Sequence, residues 1–534
     1  MKNLNKLIVS ITIFLTFFSC KKFLETKPTD FITPENYYNN EREATTALLG
    51  LYTAFNDNGN GLYAGNALTG WVLPTDEVFR NTTSGVNCLT YDFTDGTIGN
   101  YWNQCYRYIN NCNSFLENID KPVMDSTRRE VLRGEALFLR AYIYFLLTSQ
   151  FGDVPLKLNS TQSVSGVNIS FSSSKDVYAQ VLKDMILAEG KVYDIDASKQ
   201  QPVRVSKQVV RGILARVNLY MAGYPLLETA RYQDARDWAK KVVDANKNAL
   251  NSDYTQLWIN IARDAYDLRE NMWEAEFQAP QPPYFRASGW GGQTGLGIAC
   301  PQANTDVGYV LDWYKIAYSL SDRYRTDSSD IRYNWNIAPF FYRGNSGTWE
   351  TSRDSLNTTP ALRVQRVIDK NPGKLRRKFE VIRPAVGTSG MNFPILRYAD
   401  VLLMYAEAEN ELNGPTTTAI NLLNLTRVRA GCKKLYSTTA TESYFLITDK
   451  DSFKRAIQDE RSRELCFEFV RRNDLIRWGI YQQTILAESA KFISNNYQTV
   501  MSSVFNRVLD KHNFLPIPVS ELSLNNLAKQ NPGW

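Results

Sequence analysis

Between Thr127 and Ser149 the chain sets apolar side chains on nearly every face of one helix, through Ala136, Phe138, Leu139, Tyr142, Phe145 and Leu146. A helix apolar all round must be buried on several sides, so the rest of the chain has to supply the helices that enclose it. Thr127 and Glu130 have capping-box spacing at its start, and Phe151-Gly152 stops it. Thr33 as N-cap, Pro34 and Glu35 open an earlier helix whose buried face is Ala44, Leu48, Leu51, Tyr52 and Phe55. Further helices are predicted over Tyr101–Ile119 and Asp176–Ala188.

Two helical pairs follow. Ser206–Gly223 and Tyr232–Ala245 are joined by a short turn at Tyr224-Pro225, and small Ala215, Ala235 and Ala239 let them approach closely. Ile395–Leu412 ends at Asn413-Gly414-Pro415, a strong C-terminal stop, before Thr418–Ala430. The first pair resembles a tetratricopeptide repeat, whose period is about 34 residues. One such unit cannot bury its own face, so several should stack. Residues 280–393 read differently, with Pro280-Gln281-Pro282-Pro283, Ser288-Gly289-Trp290-Gly291-Gly292 and short aromatic strand-like pieces. Long irregular regions are usually functional, and this one reads as an insertion mounted on a helical scaffold.

The chain has 534 residues, 43% of them hydrophobic, enough for one large or two ordinary domains. Its 61 basic and 55 acidic residues nearly balance and form no long basic block, which argues against nucleic acid as a partner. His512 is the only histidine, so no two-histidine metal site can be built, and any histidine-dependent hydrolase would have to use it. No cofactor is expected. Lys2 and Lys6 precede an apolar run from Leu7 to Phe18, which as a helix would span only about 18 Å of a roughly 30 Å hydrocarbon core. With Ser19 it reads as a secretory signal, residues 1–19. Cys20 directly after it resembles the acylated N-terminus of a bacterial lipoprotein, with Phe17 where leucine is usual, and is the predicted lipid anchor. The other six cysteines are scattered. Cys105 and Cys112 would sit about 10 Å apart on a helix and cannot pair there, so small buried residues are expected.

Five stretches then add up: Cys20-Lys21-Lys22-Phe23-Leu24-Glu25 with Pro28; Arg140-Ala141-Tyr142 leading to Phe151-Gly152-Asp153-Val154-Pro155; Arg397-Tyr398-Ala399-Asp400 running to Ala408; Glu460-Arg461-Ser462-Arg463-Glu464-Leu465 with Arg472, Asp474 and Arg477-Trp478-Gly479; and Leu515-Pro516-Ile517-Pro518 with Asn531-Pro532-Gly533-Trp534. In this order the mature chain resembles the SusD/RagB family of Bacteroidetes outer-membrane lipoproteins. The resemblance implies a mostly α-helical protein with four tetratricopeptide-like helix pairs. It divides the chain into a helical region, 20–275, and a C-terminal region, 276–534, carrying the loop-rich insertion 280–393. It also implies a non-catalytic, lipid-anchored binder at the cell surface. Such a protein captures oligosaccharides and delivers them to a SusC-like TonB-dependent transporter in the outer membrane, while some relatives handle peptides.

The charged motifs have a physical reading of their own. Between Asp459 and Arg477 five acids face five arginines, and Glu460/Arg463, Arg461/Glu464 and Glu468/Arg472 have helical neighbour spacing. Ion pairs bracing helices explain them better than a glycosidase carboxylate pair, since an adjacent arginine lowers a carboxyl pKa and spoils a general acid. Asp76-Glu77 gets the same reading, because sequence neighbours do not face each other across a sugar.

A glycan binder needs flat aromatic rings on exposed loops, with amides or guanidinium groups beside them. Trp290, set between glycines with Tyr284 and Phe285 shortly before it, is the first candidate. The second is the stretch Phe79–Asp95, with Arg80, Asn81, Asn87 and Tyr91. Trp71, Trp335 and Trp349 stand in reserve, and Trp102, Trp238 and Trp478 fall in helical patterns and read as core. Peptide capture, a surface glycosidase and a ligand-free helical adaptor are the alternatives.

Overall fold

The computed structural model describes residues 37–57, 61–64, 74–80, 85–163, 166, 168–195, 204–281, 284–286, 297–300, 306–343, 349–352, 367–383, 389–436, 446–494 and 504–534. The predicted signal segment, the predicted anchor Cys20 and the predicted N-cap Thr33 lie outside them. The first helix, Glu41–Asn56, is capped by Asn40 and buries the predicted Ala44, Leu48, Leu51, Tyr52 and Phe55.

The helix that is apolar nearly all round is Ser126–Phe151, and it is enclosed as its sequence requires. Glu41–Asn56, Gly96–Asn118 and Ser174–Glu189 all pack against it. Its N-cap is Asp125, which accepts the Arg128 N–H at 2.8 Å, rather than Thr127. A carboxylate satisfies an orphan N–H and also complements the helix dipole. Glu130, released from capping, pairs with Arg133 and Lys191.

The stack continues through Lys207–Ala222 and Arg231–Asp244, and Arg231–Asp244 packs on Tyr398–Asn413. Tyr398–Asn413 packs in turn on Thr417–Arg429 and Lys450–Leu465. The result is a mostly helical, tetratricopeptide-like scaffold. At Gly223 a Cβ would overlap the Arg477 carbonyl, and the glycine lets the Tyr224 N–H donate to that oxygen at 2.8 Å.

The insertion leaves and rejoins the stack through a clasp of two antiparallel strands, Asn271–Ala275 and Phe393–Arg397, with Phe393 opposite Ala275. Ile395–Arg397 is therefore strand, not the predicted helix start, and helix begins at Tyr398. The strand partner overrides the local helical spacing. Trp273 of the clasp is fully buried against Phe55, Phe138 and Tyr142, with ring centres 5.4, 5.2 and 4.8 Å away. Cys88, Cys105, Cys112, Cys300, Cys432 and Cys466 are buried thiols in no disulfide among the described residues.

Of the three predicted helical ion pairs, Glu460–Arg463 forms, at 3.0 Å. Arg461 turns instead to Asp474 and Asp400, and Glu468 to Lys374 and Arg397. These side chains are buried, where each guanidinium is satisfied best by carboxylates converging from several elements. Glu464 is the hub, accepting from Arg332 at 2.9 Å, Arg397 at 3.1 Å and Arg429 at 2.6 Å. Burial alone would raise its pKa, but the three arginines hold it down to about 2. An unfolded glutamate titrates near 4.3. Its stabilisation is therefore complete above about pH 4.3 and is lost as the pH falls towards 2. Glu464→Gln should cost about 3–5 kcal/mol in guanidinium unfolding at pH 7, by leaving buried arginines short of a partner. It should also flatten the loss of stability between pH 5 and pH 2.

Candidate functional site

The strand Val78–Arg80 opens one candidate stretch, and the strand Tyr314–Ile316 lies in the insertion. They pair antiparallel, with Val78 opposite Ile316 and Arg80 opposite Tyr314. The two stretches singled out in the sequence are thereby joined at one edge. Phe79 anchors the first strand by packing edge-on against Phe492 and Phe505, 5.2 and 5.8 Å away. Tyr314 and Ile316, two apart, are fully buried, which leaves Trp313 on the opposite side of the backbone.

Trp313 is 37% exposed, and the Arg80 guanidinium lies over its ring at 4.3 Å from the centre. Stacking of this kind holds both side chains flat and leaves hydrogen-bonding N–H groups around an exposed aromatic edge. Asp312, next to Trp313 in sequence, accepts from Asn371 at 2.7 Å and from Lys315. An apolar ring, a guanidinium and a carboxylate on one rigid edge can hold a neutral polyhydroxylated ligand, the ring against its C–H face and the polar groups on its hydroxyls.

The sequence pointed to Arg80 within its stretch but passed over Trp313. The available signal was the period-two pattern of Trp313-Tyr314-Lys315-Ile316, hidden among many other aromatics.

Other candidates are placed as follows. Tyr284 and Phe285 lie on the strand Tyr284–Arg286, which forms a hairpin with Gln278–Gln281. Trp290, Asn81 and Trp71 lie outside the described residues. Trp349 pairs by its backbone with Arg343. Trp335 is partly buried, stacked on Phe379 with Arg376 above it. Trp102 is buried, while Trp238 and Trp478 pack half-buried against the core.

Tyr91 is not an exposed platform. It is 7% exposed, its ring stacked 5.0 Å from the C-terminal Trp534 and 5.7 Å from His512. The asparagine- and threonine-rich neighbourhood suggested an open loop, but the chain terminus folds back over this ring. The Tyr91 hydroxyl is buried without a partner among the described residues. Tyr91→Phe should therefore leave ligand retention unchanged and raise stability by about 1 kcal/mol, read by thermal or chemical unfolding.

The titratable groups near the site are structural. Asp76 is fully buried and accepts from Arg471 at 2.7 and 2.8 Å and from Arg323; despite burial, these arginines keep its carboxyl low. Burial pushes Glu77 up to about 7, but it is only 3% exposed and no sugar can reach it. His512 is buried, pushed down to about 4, and its Nδ1 accepts the Leu509 N–H at 2.9 Å.

Comparison with known proteins gives a consistent result. A family profile described as the SusD family matches residues 238–534, and one described as starch-binding, associating with the outer membrane, matches residues 22–219. SusD-like protein P25 of Formosa agariphila is 24% identical, over 98% of this chain and 97% of its own. The starch-binding protein SusD of Bacteroides thetaiotaomicron is 22% identical over 79% of this chain and 76% of its own. A crystal structure of a SusD homolog from Bacteroides thetaiotaomicron superposes with a TM-score of 0.81 at 26% identity, covering 94% of this chain and 98% of the other.

Proposed function

The chain belongs to the SusD family, and from that premise we propose that it is a non-catalytic glycan receptor of the cell surface. Lipid on Cys20 holds it to the outer membrane. It captures oligosaccharides and passes them to a SusC-like TonB-dependent transporter. The observation that carries this reading is the exposed Trp313 ring under Arg80, at the edge where the two candidate stretches meet. The starch-binding relative supports the same ligand class.

Binding follows from the geometry. A sugar ring laid on Trp313 buries apolar C–H surface, while Arg80 and Asp312 take hydroxyls. Because the tryptophan is already held by the guanidinium and the strand pair, little side-chain entropy is lost on binding. Trp290, Tyr284, Phe285 and Asn81 are proposed as further ligand contacts on the strength of their sequence setting. No bond is broken: arginines claim the Asp76 carboxylate beneath the strands, and Glu77 beside it is sealed from solvent.

The test is affinity electrophoresis of residues 21–534 in starch, laminarin and xylan gels, with a peptide digest as the alternative ligand. Trp313→Ala and Trp290→Ala should each weaken retention by about 10- to 100-fold, the loss of one buried aromatic contact of about 1.5–3 kcal/mol. Retention of peptides alone would overturn the glycan reading in favour of peptide capture. Release of new reducing ends would overturn the non-catalytic one.

A further inference from the structure

A groove of about 600 Å³ runs beside the Gly96–Asn118 helix. Its volume falls within the roughly 300–1,000 Å³ of ordinary ligand sites. A second hollow of about 330 Å³ continues it along the same helix, and the two share Asn103, Tyr106, Lys157 and Thr161. No residue of the platform lines either hollow.

The groove is built rather than left over. Its base is aromatic: Trp102 and Tyr106 lie 5.0 Å apart, and the Tyr106 hydroxyl donates to the Pro155 carbonyl at 2.8 Å. The far wall is pinned by buried Asn525, which accepts the Ile169 N–H at 3.1 Å and donates to the Ile169 carbonyl at 2.8 Å. The Thr161 N–H donates to Asn110 at 2.7 Å, tying the remaining wall to the helix. Along the rim the amides of Asn103 and Gln162 are exposed, and Leu524, 69% exposed, forms an apolar lip.

We propose that this groove is a second carbohydrate subsite, taking a neutral stretch of the same glycan chain or of a second one. The proposal rests on the glycan reading of the platform. Its chemistry is the same: the partly exposed Tyr106 ring, backed by buried Trp102, for a C–H face, amides for the hydroxyls, and one cation, Lys157, balanced by one carboxylate, Glu521, among the residues lining the larger hollow. That balance gives no preference for a charged ligand. Walls already fixed by hydrogen bonds lose little freedom when a ligand enters.

The experiment uses the mature chain in four forms: wild type, Arg80→Ala/Trp313→Ala, Asn103→Ala/Gln162→Ala, and the combination. Asn103 and Gln162 are exposed, so the groove variant should unfold at the wild-type temperature, checked by calorimetry. Retention is measured in starch, laminarin and xylan gels. Loss of two polar partners should weaken retention of the preferred polysaccharide about tenfold, in both backgrounds. Unchanged retention in the groove variant, with loss in the platform variant, overturns the subsite and leaves the platform reading standing. No retention of any polysaccharide by the wild type overturns both. Retention of a peptide digest that the groove variant alone abolishes overturns the carbohydrate assignment in favour of a peptide groove.

Discussion

The structure depends on a buried braid of arginines and carboxylates. Arg332, Arg397, Arg427 and Arg463 meet Glu460, Glu464 and Glu468 with almost no solvent present. Arg332 belongs to the insertion, Arg397 to the clasp strand, and Arg427 and Arg429 to the Thr417–Arg429 helix. A single carboxylate, Glu464, therefore ties three separate parts of the chain together. Apolar packing could have joined them with comparable stability, since the desolvation of buried ions offsets much of their attraction. What the ions add is direction: each guanidinium accepts only a few arrangements of oxygen around it. That directionality sets the insertion at a defined angle on the stack.

The same device reaches the candidate site. Asp76, just before the Val78–Arg80 strand, binds Arg323 on the helix that follows Tyr314–Ile316. The Ala317 N–H donates to the Glu77 carbonyl at 3.0 Å, and Glu488 accepts the Tyr318 N–H at 2.6 Å. The two strands are thus bound from behind by buried carboxyls and by the largely buried Arg323. A ring mounted on such a base keeps its position when a ligand arrives, which a ring on a free loop does not.

Much of this was legible in the sequence, for reasons that can be named. Local signals worked where they were strong: the Thr127–Ser149 stretch, apolar on nearly every face, the Asn413-Gly414-Pro415 stop and the close Ala235/Ala239 face all correspond to observed helices or ends. What could not be read was tertiary choice. Arg461/Glu464 has perfect helical spacing, yet both residues find partners elsewhere, because spacing says who can meet and not who else is present. Tyr91 failed for the same reason. Only the folded chain brings Trp534 back across it. Trp313 was lost among thirteen per cent aromatic residues, since exposure is a property of the fold and not of the residue type.

The distribution of charge also bears on the proposed binding without bond cleavage. Glycoside cleavage needs two carboxyl groups facing the ligand from a water-accessible cleft, one of them able to give up a proton. Here the buried carboxyls beside the strands are either held down by arginines, as with Asp76, or raised by burial out of reach, as with Glu77 and Glu488, both pushed to about 7, which leaves Asp312 as a single accessible carboxylate at the platform. Moving either kind to the surface would remove a brace or open the core. The framework thus keeps its buried carboxyl groups for cohesion, and on the proposed reading it leaves rings, amides, one guanidinium and the lone Asp312 carboxylate to face the ligand, a division under which loops can change while the braid beneath them stays the same.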